Sequence, residues 1–402
     1  MMQAAGSSGT LALSFAVVAD VAVSAERGAY MGIVGGGINM GTALSPVLGG
    51  ILAQYLGWRA IFWFCLIFTA GWLVPFVLFV PETCRKVVGN GSIPARGWNM
   101  TLIDYVRSRR HPVVEDVPEE HKVKLRVPNP FNTLRVLFEK DIAMLLFYAT
   151  LVYLVFILIC ATISTEFVKI YHYNDLQIGL CFLPYGVGCS IAAVGQGRVL
   201  DWNYRRIARK IGFTIDYKRG DDLSKFPIEK ARIQPVFPLL AIGIGATIAY
   251  GWVLQAETML AGPLVLLFII GLTVTGSFSI LNTLLVDLYP QAPATSVAAF
   301  NLLRCLFGAG GTAVVESMLR AMGRGWTYSF WAFVILAFAP ILVVLLRFGP
   351  RWREERRLRF KARDEAKQEK KAVAAAAAAE ETTSANASAS DAADGNEQTK
   401  SG

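Results

Sequence analysis

Charge is scarce in this chain. Only 17% of its 402 residues are charged, and many of those crowd into the last fifty. A soluble chain of this length forms two or three domains with well-charged surfaces, and this one lacks the charge to cover them. Histidine is rarer still, at three residues, His111, His121 and His172, all outside the apolar runs. That excludes a buried histidine relay and leaves any proton chemistry to carboxylates. Six cysteines are scattered without metal-ligand or C-x-x-C spacing, so they read as structural thiols. No span or loop shows a metal cluster, nucleophile–base pair or phosphate loop, so an enzyme is not expected. No basic leader precedes the first apolar run, so no signal peptide is expected.

What the chain has is apolar length. Hydrophobic residues make up 54% of it, in runs near the ~20 residues a bilayer requires. Nine spans are predicted, at 7–23, 30–56, 60–80, 142–163, 177–199, 236–254, 263–285, 296–319 and 327–347. The fold class is therefore an all-α, multi-pass membrane protein in contact with lipid. A net charge of +9 invites a nucleic-acid partner, but the basic residues lie between apolar runs and in the tail, as in loops facing cytoplasm. No nucleic acid is expected. The polar insertions 81–141 and 200–235 carry clusters such as Arg107, Arg109, Arg110 and Arg205, Arg206, Arg209, Lys210, and the tail from 348 is rich in Arg and Lys. Connections on the opposite side are nearly free of both. Positive-inside places the insertions and tail in the cytoplasm. Within the tail, 351–371 is patterned for a helix along anionic lipid, and the Ala-rich and Ser-rich end reads as disordered.

The stretch from Ala29 to Leu56 is apolar yet full of glycine, with Pro46 near its end. Such a helix is weak in water but holds together in lipid, where small residues serve close helix contact. A second pattern repeats. GWRAIFW begins at Gly57 and GWTYSFW at Gly325, while Asp20 and Asp287 close spans at nearly the same offset. The halves read as parallel repeats. The last six spans form one six-helix lobe, 142–347, and the first three match only the latter part of another, 1–80.

The spacing Gly32, Gly41, Ser45, Pro46, Gly49, Gly50 resembles the antiporter motif of drug:proton antiporters in the major facilitator superfamily, with Ser45 where the family has glycine. AERGAYMGIVGGGINMG, GWRAIFWF, FVPETCRKVVGNGSIP, RVLDWNYRRIARKIG and FNLLRCLFGAGGTA resemble its fungal, twelve-helix branch, associated with quinidine, multidrug and polyamine export. The resemblance implies the major facilitator fold, with the nine spans as helices four to twelve and three helices expected ahead of Met1. It also implies export of a small organic or cationic drug-like compound against protons, with no cofactor beyond the proton gradient. The plasma membrane is the expected location, with the vacuolar membrane as the alternative. The family's fourth helix opens with Arg-x-x-Gln-Gly-x-Gly. Gln3 and Gly6 match, and the arginine falls outside the chain.

Rocking transport needs gates and a charge that changes state. Gly197, Asp201, Arg205 and Arg206 match the family's loop motif, with Asp287 as the expected partner of the two arginines. Asp20 is its counterpart in the first half, expected to lack the basic partner that the family's loop between helices two and three supplies, with Arg27 as a partial shield. A solvated charge cluster is the plainer reading of the same residues. Arg304 and Glu316 lie inside one span, where charge is costly and faces a cavity or a partner. Asn301 sits one turn before Arg304, and Asn282 lies within the tenth helix by family order. Each also fits a helix–helix tie, and Glu316 is near enough to the outer end to snorkel. Two functions stand at this point: a secondary transporter, and a non-transporting fragment of one.

Overall fold

A computed structural model describes residues 27–83, 139–212, 226–288 and 293–360, with isolated positions outside these stretches. The described elements are helical. They are α1 (Arg27–Leu56), α2 (Trp58–Phe79), α3 (Lys140–Tyr171), α4 (Asp175–Ile211), α5 (Ile228–Ile233), α6 (Val236–Gln255), α7 (Ala261–Leu288) and α8 (Pro293–Phe338). Two compact units are present, 1–347 and 348–402. The second is helical over 348–360, with Arg351 and Arg357 paired to Glu355 and Glu354 along its own surface.

Among the described residues, six helices are long and apolar enough to cross a membrane. The expected spans 60–80, 142–163, 177–199, 236–254 and 263–285 fall on α2, α3, α4, α6 and α7. The spans 296–319 and 327–347 both involve α8, which is broken at Gly323, where φ is 79° and ψ 170°. Gly57 takes φ 81° between α1 and α2. Both breaks need the left-handed region that glycine enters freely. They are not at equivalent places in the repeat: the first break is the glycine of Gly57-Trp58, the second lies two residues before Gly325-Trp326. Span 7–23 and most of 81–141 lie outside the described residues.

Helix ends follow local chemistry. α3 stops at His172 in the left-handed conformation, with its N–H on the Val168 carbonyl. Asn174 then caps α4 in a reciprocal box with Gln177, which satisfies amides the first turn leaves open. At its far end α4 continues to Ile211 before Gly212 closes it, and α5 occupies 228–233. The insertion 200–235 is thus helical at both ends. Along the spans, Thr150, Thr162, Thr247, Thr273 and Ser277 donate their hydroxyls to carbonyls one turn back, which satisfies a polar group inside an apolar segment.

The core sits between α3, α4, α6, α7 and α8. Ile142, Leu146, Val152, Ile159, Tyr185, Tyr250, Leu267 and Ile280 are fully buried there. α2 has no buried residue at all. Its Trp58, Trp63, Phe68 and Trp72 are each more than half exposed, as expected of a rod facing lipid or further helices.

Candidate functional site

The glycine-rich α1 meets the rest of the bundle along α4. A methyl group on Gly50 would lie 2.5 Å from the Asp175 carbonyl oxygen, and one on Gly179 2.6 Å from the Pro46 carbonyl oxygen. Gly186 closes against Ala43. Three contacts along one crossing bring two backbones together, which larger side chains would forbid. Of the motif residues, Pro46 and Gly50 make this contact. Gly41 and Gly49 have nothing within 4 Å of where a Cβ would stand, and Ser45 is exposed. Gly32 and Arg27 lie on α1, with no description of their surroundings. The partner glycines Gly179 and Gly186 escaped the sequence reading, because they carry no motif spacing of their own.

At one end of the bundle, Asn203 on α4 donates to the Ala231 carbonyl at 2.7 Å, which holds α5 against the ends of α4 and α7. Arg232 thereby reaches Asp287 at 2.9 Å, both largely covered. This corrects the expected pairing of Asp287 with Arg205 or Arg206. Those arginines point along the exposed face of α4, where Arg206 lies 5.3 Å from the Trp202 ring. Asp201 is exposed and pairs with neither of them among the described residues. An exposed pair one turn apart gains only about 0.3–0.5 kcal/mol, too little to hold two long side chains in place. A methyl on Gly197 would meet open space. The loop motif therefore presents an open basic face lined by Arg198, Asp201, Trp202, Arg205, Arg206 and Lys210. Asp20 and Gln3 lie outside the described residues.

The opposite end holds a dense ion network that the sequence reading did not foresee. Glu166 on α3, 2% exposed, accepts from Arg324 Nε at 2.5 Å and from Lys169 at 3.1 Å. Lys169 also bonds Glu316 at 3.1 Å, and Glu316 accepts from Arg320 at 3.3 Å. Arg324 reaches Glu257 at 3.0 Å. Gln255 accepts from the amides of Arg324 and Gly325, which caps the half of α8 that begins after the Gly323 break. Glu316, partly exposed at this end, is therefore a shared acceptor for Lys169 and Arg320.

Between the two ends, α8 presses on α3 through Gly308 and Gly311, whose Cβ positions would meet Tyr153 and Leu154. Arg304 lies one turn before Gly308, on the same face. Its guanidinium carbon therefore stands over the Tyr153 ring, 4.7 Å from the centroid. Tyr153 is in turn packed with Phe156 at 5.6 Å and Phe278 at 5.4 Å, and Phe156 with Tyr185 at 5.6 Å. Arg304 Nε and Asn282 Oδ1 are buried and have no hydrogen-bond partner among the described residues. The two terminal nitrogens of Arg304 are not among the buried atoms, so the fork stays open. Asn301 is half-buried one turn away. Charge inside a bilayer costs about 2.5–3.5 kcal/mol on insertion scales. A ring face offsets about 0.5–2 kcal/mol of that. The remainder calls for water or an anion.

Comparison with known proteins bears on this arrangement. A family profile described as "Major Facilitator Superfamily" matches residues 1–312. The MFS-type transporter phiD of Fungal sp. (strain ATCC 74256) is 40% identical over 357 residues, 88% of this chain and 54% of the relative. Citrate exporter 1 of Aspergillus niger is 36% identical over 367 residues, 90% of this chain and 70% of the relative. The chain thus spans about half the length of the first of these curated relatives. The crystal structure of the human organic anion transporter MFSD10 (TETRAN) superposes with a TM-score of 0.52 at 19% identity, covering 84% of this chain and 68% of that one. At that identity the likeness is one of fold.

Proposed function

Because the chain belongs to the Major Facilitator Superfamily, we propose that it is a secondary active transporter, or the greater part of one, that exports a small organic compound in exchange for protons by alternating access. The observation that carries this reading is the α1–α4 crossing. Gly50 against Asp175, Gly179 against Pro46 and Gly186 against Ala43 bring the two backbones into close contact at three points. Such a seam lets two groups of helices shift against each other at little cost in packing. The unpartnered fork of Arg304 on the α3–α8 face gives a passing solute something to bind. Carboxylates are left to carry the proton: His172, the described histidine, lies in the α3–α4 connection. The names of the relatives support a small organic substrate, one of them being a citrate exporter. Export of a drug-like compound, with the plasma membrane as the site of action, is the finer form of this proposal.

Liposomes carrying the chain and loaded at acid pH test the reading. Labelled citrate or rhodamine 6G should accumulate faster than in empty liposomes, and a protonophore should abolish the difference. Uptake of both compounds at the rate of empty liposomes would contradict transport.

A further inference from the structure

We propose that Arg304 anchors a site for an organic carboxylate with an apolar body. The guanidinium fork takes the carboxylate, and the row of rings formed by Tyr153, Phe156 and Phe278 takes the body. The proposal rests on the transporter reading, and it names the charge and shape of the solute.

Three observations converge on it. First, the fork is held but not used. Tyr153 fixes one face of the guanidinium at 4.7 Å, yet Arg304 makes no hydrogen bond or ion pair among the described residues, and its Nε is buried without a partner. A purely structural arginine would spend its donors on an acceptor, as Arg324 does on Glu166, Glu257 and the Leu254 carbonyl. Second, among the described residues no carboxylate is paired with it. Glu316 lies three turns farther along α8, about 18 Å by helix rise, and is already shared by Lys169 and Arg320. Asp141 lies an equal distance before Tyr153, at the start of α3. A cationic solute would meet uncompensated positive charge here, whereas an anion would relieve it. A planar fork matches a carboxylate with two parallel hydrogen bonds. Third, the surroundings are aromatic. The rings continue from Tyr153 to Phe156 and Phe278 at stacking distances. The rings are half-buried and packed against one another, so what they leave exposed is apolar surface that a carboxylate attached to a hydrocarbon or ring would cover and a small inorganic anion would not.

A matched series of probes separates charge from shape. The purified chain in detergent is titrated with 4-phenylbutyrate, its uncharged amide and 4-phenylbutylamine, with tryptophan fluorescence as readout. The acid should bind at least tenfold more tightly than the amide, and the amine should not bind. Arg304→Gln should lose that preference, while Arg304→Lys, which keeps the charge without the fork, should retain part of it. Equal affinity for acid and amide, tighter binding of the amine, or an Arg304→Gln chain that still prefers the acid would overturn the proposal. So would absence of binding by the acid to a folded chain. None of these results depends on transport, so failure here is distinct from failure of the liposome experiment, where solutes of either charge count.

Discussion

The middle and the outer end of the α3–α8 contact each present an arginine to α3, and the two are treated in opposite ways. Arg324 spends its donors on Glu166, Glu257 and a carbonyl, and the next amides are capped by Gln255. Arg304, 20 residues earlier in the chain, is given a ring to lie on and, among the described residues, nothing to bond. Both are partly covered, so the charge of each has to be offset. The difference lies in what offsets it. At the outer end the protein supplies the counter-charge itself, which makes that arginine part of the scaffold. In the middle the counter-charge is left to be supplied, which makes that arginine available for work.

The largest effect that would sharpen this contrast is on folding. Arg324→Ala strands Glu166, which is 2% exposed, and removing one partner of a buried pair typically costs about 3–5 kcal/mol. A marked drop in the unfolding midpoint of the purified chain is expected. A drop no larger than that of a surface arginine would mean that Lys169 alone satisfies Glu166. Next comes the α1–α4 seam. Gly186→Leu would drive a side chain into Ala43, and overpacking of this kind costs about 1–3 kcal/mol. Transport should fall further than stability does, because the seam is proposed to move. Equal transport at matched protein level would remove the seam from the mechanism. The smallest effect is expected at the rim. Arg320 is 78% exposed and pairs with Glu316 across one helical turn, so Arg320→Ala should cost less than about 0.5 kcal/mol. A loss comparable to that of Arg324→Ala would show that the network acts as a unit.

Much of the architecture was legible before any coordinates. Run length and hydropathy placed α2, α3, α4, α6 and α7, and the depth of Arg304 in a span singled it out as a charge that needs a cavity or a partner. The glycine-rich stretch was correctly read as a place of close helix contact, but only half of the contact was visible. Gly179 and Gly186, which complete it from α4, sit at a spacing that any membrane helix tolerates. The pairings were the illegible part. Glu166 with Arg324 and Asp287 with Arg232 join residues far apart in the chain, and periodicity along one helix carries no information about which neighbour arrives opposite. Arg232 was harder still, because it lies in a polar insertion that reads as loop, where a six-residue helix held by Asn203 delivers it. Arg205 and Arg206 matched a family motif and so drew the pairing toward themselves, although α4 turns them outward. The break in α8 was legible: Gly323 falls inside the 320–326 connection left between the two expected spans, whereas Gln255, which arrives from α6 to cap the helix that follows, was not.

Thermal unfolding of Arg304→Gln beside Arg324→Ala, each with and without 4-phenylbutyrate, tests the division between scaffold and site most directly. The account predicts that Arg304→Gln melts with or above the parent chain and gains nothing from the carboxylate. Arg324→Ala should melt well below the parent and still be stabilised by it. An Arg304→Gln chain that melts as low as Arg324→Ala while keeping the full stabilisation by carboxylate would contradict it.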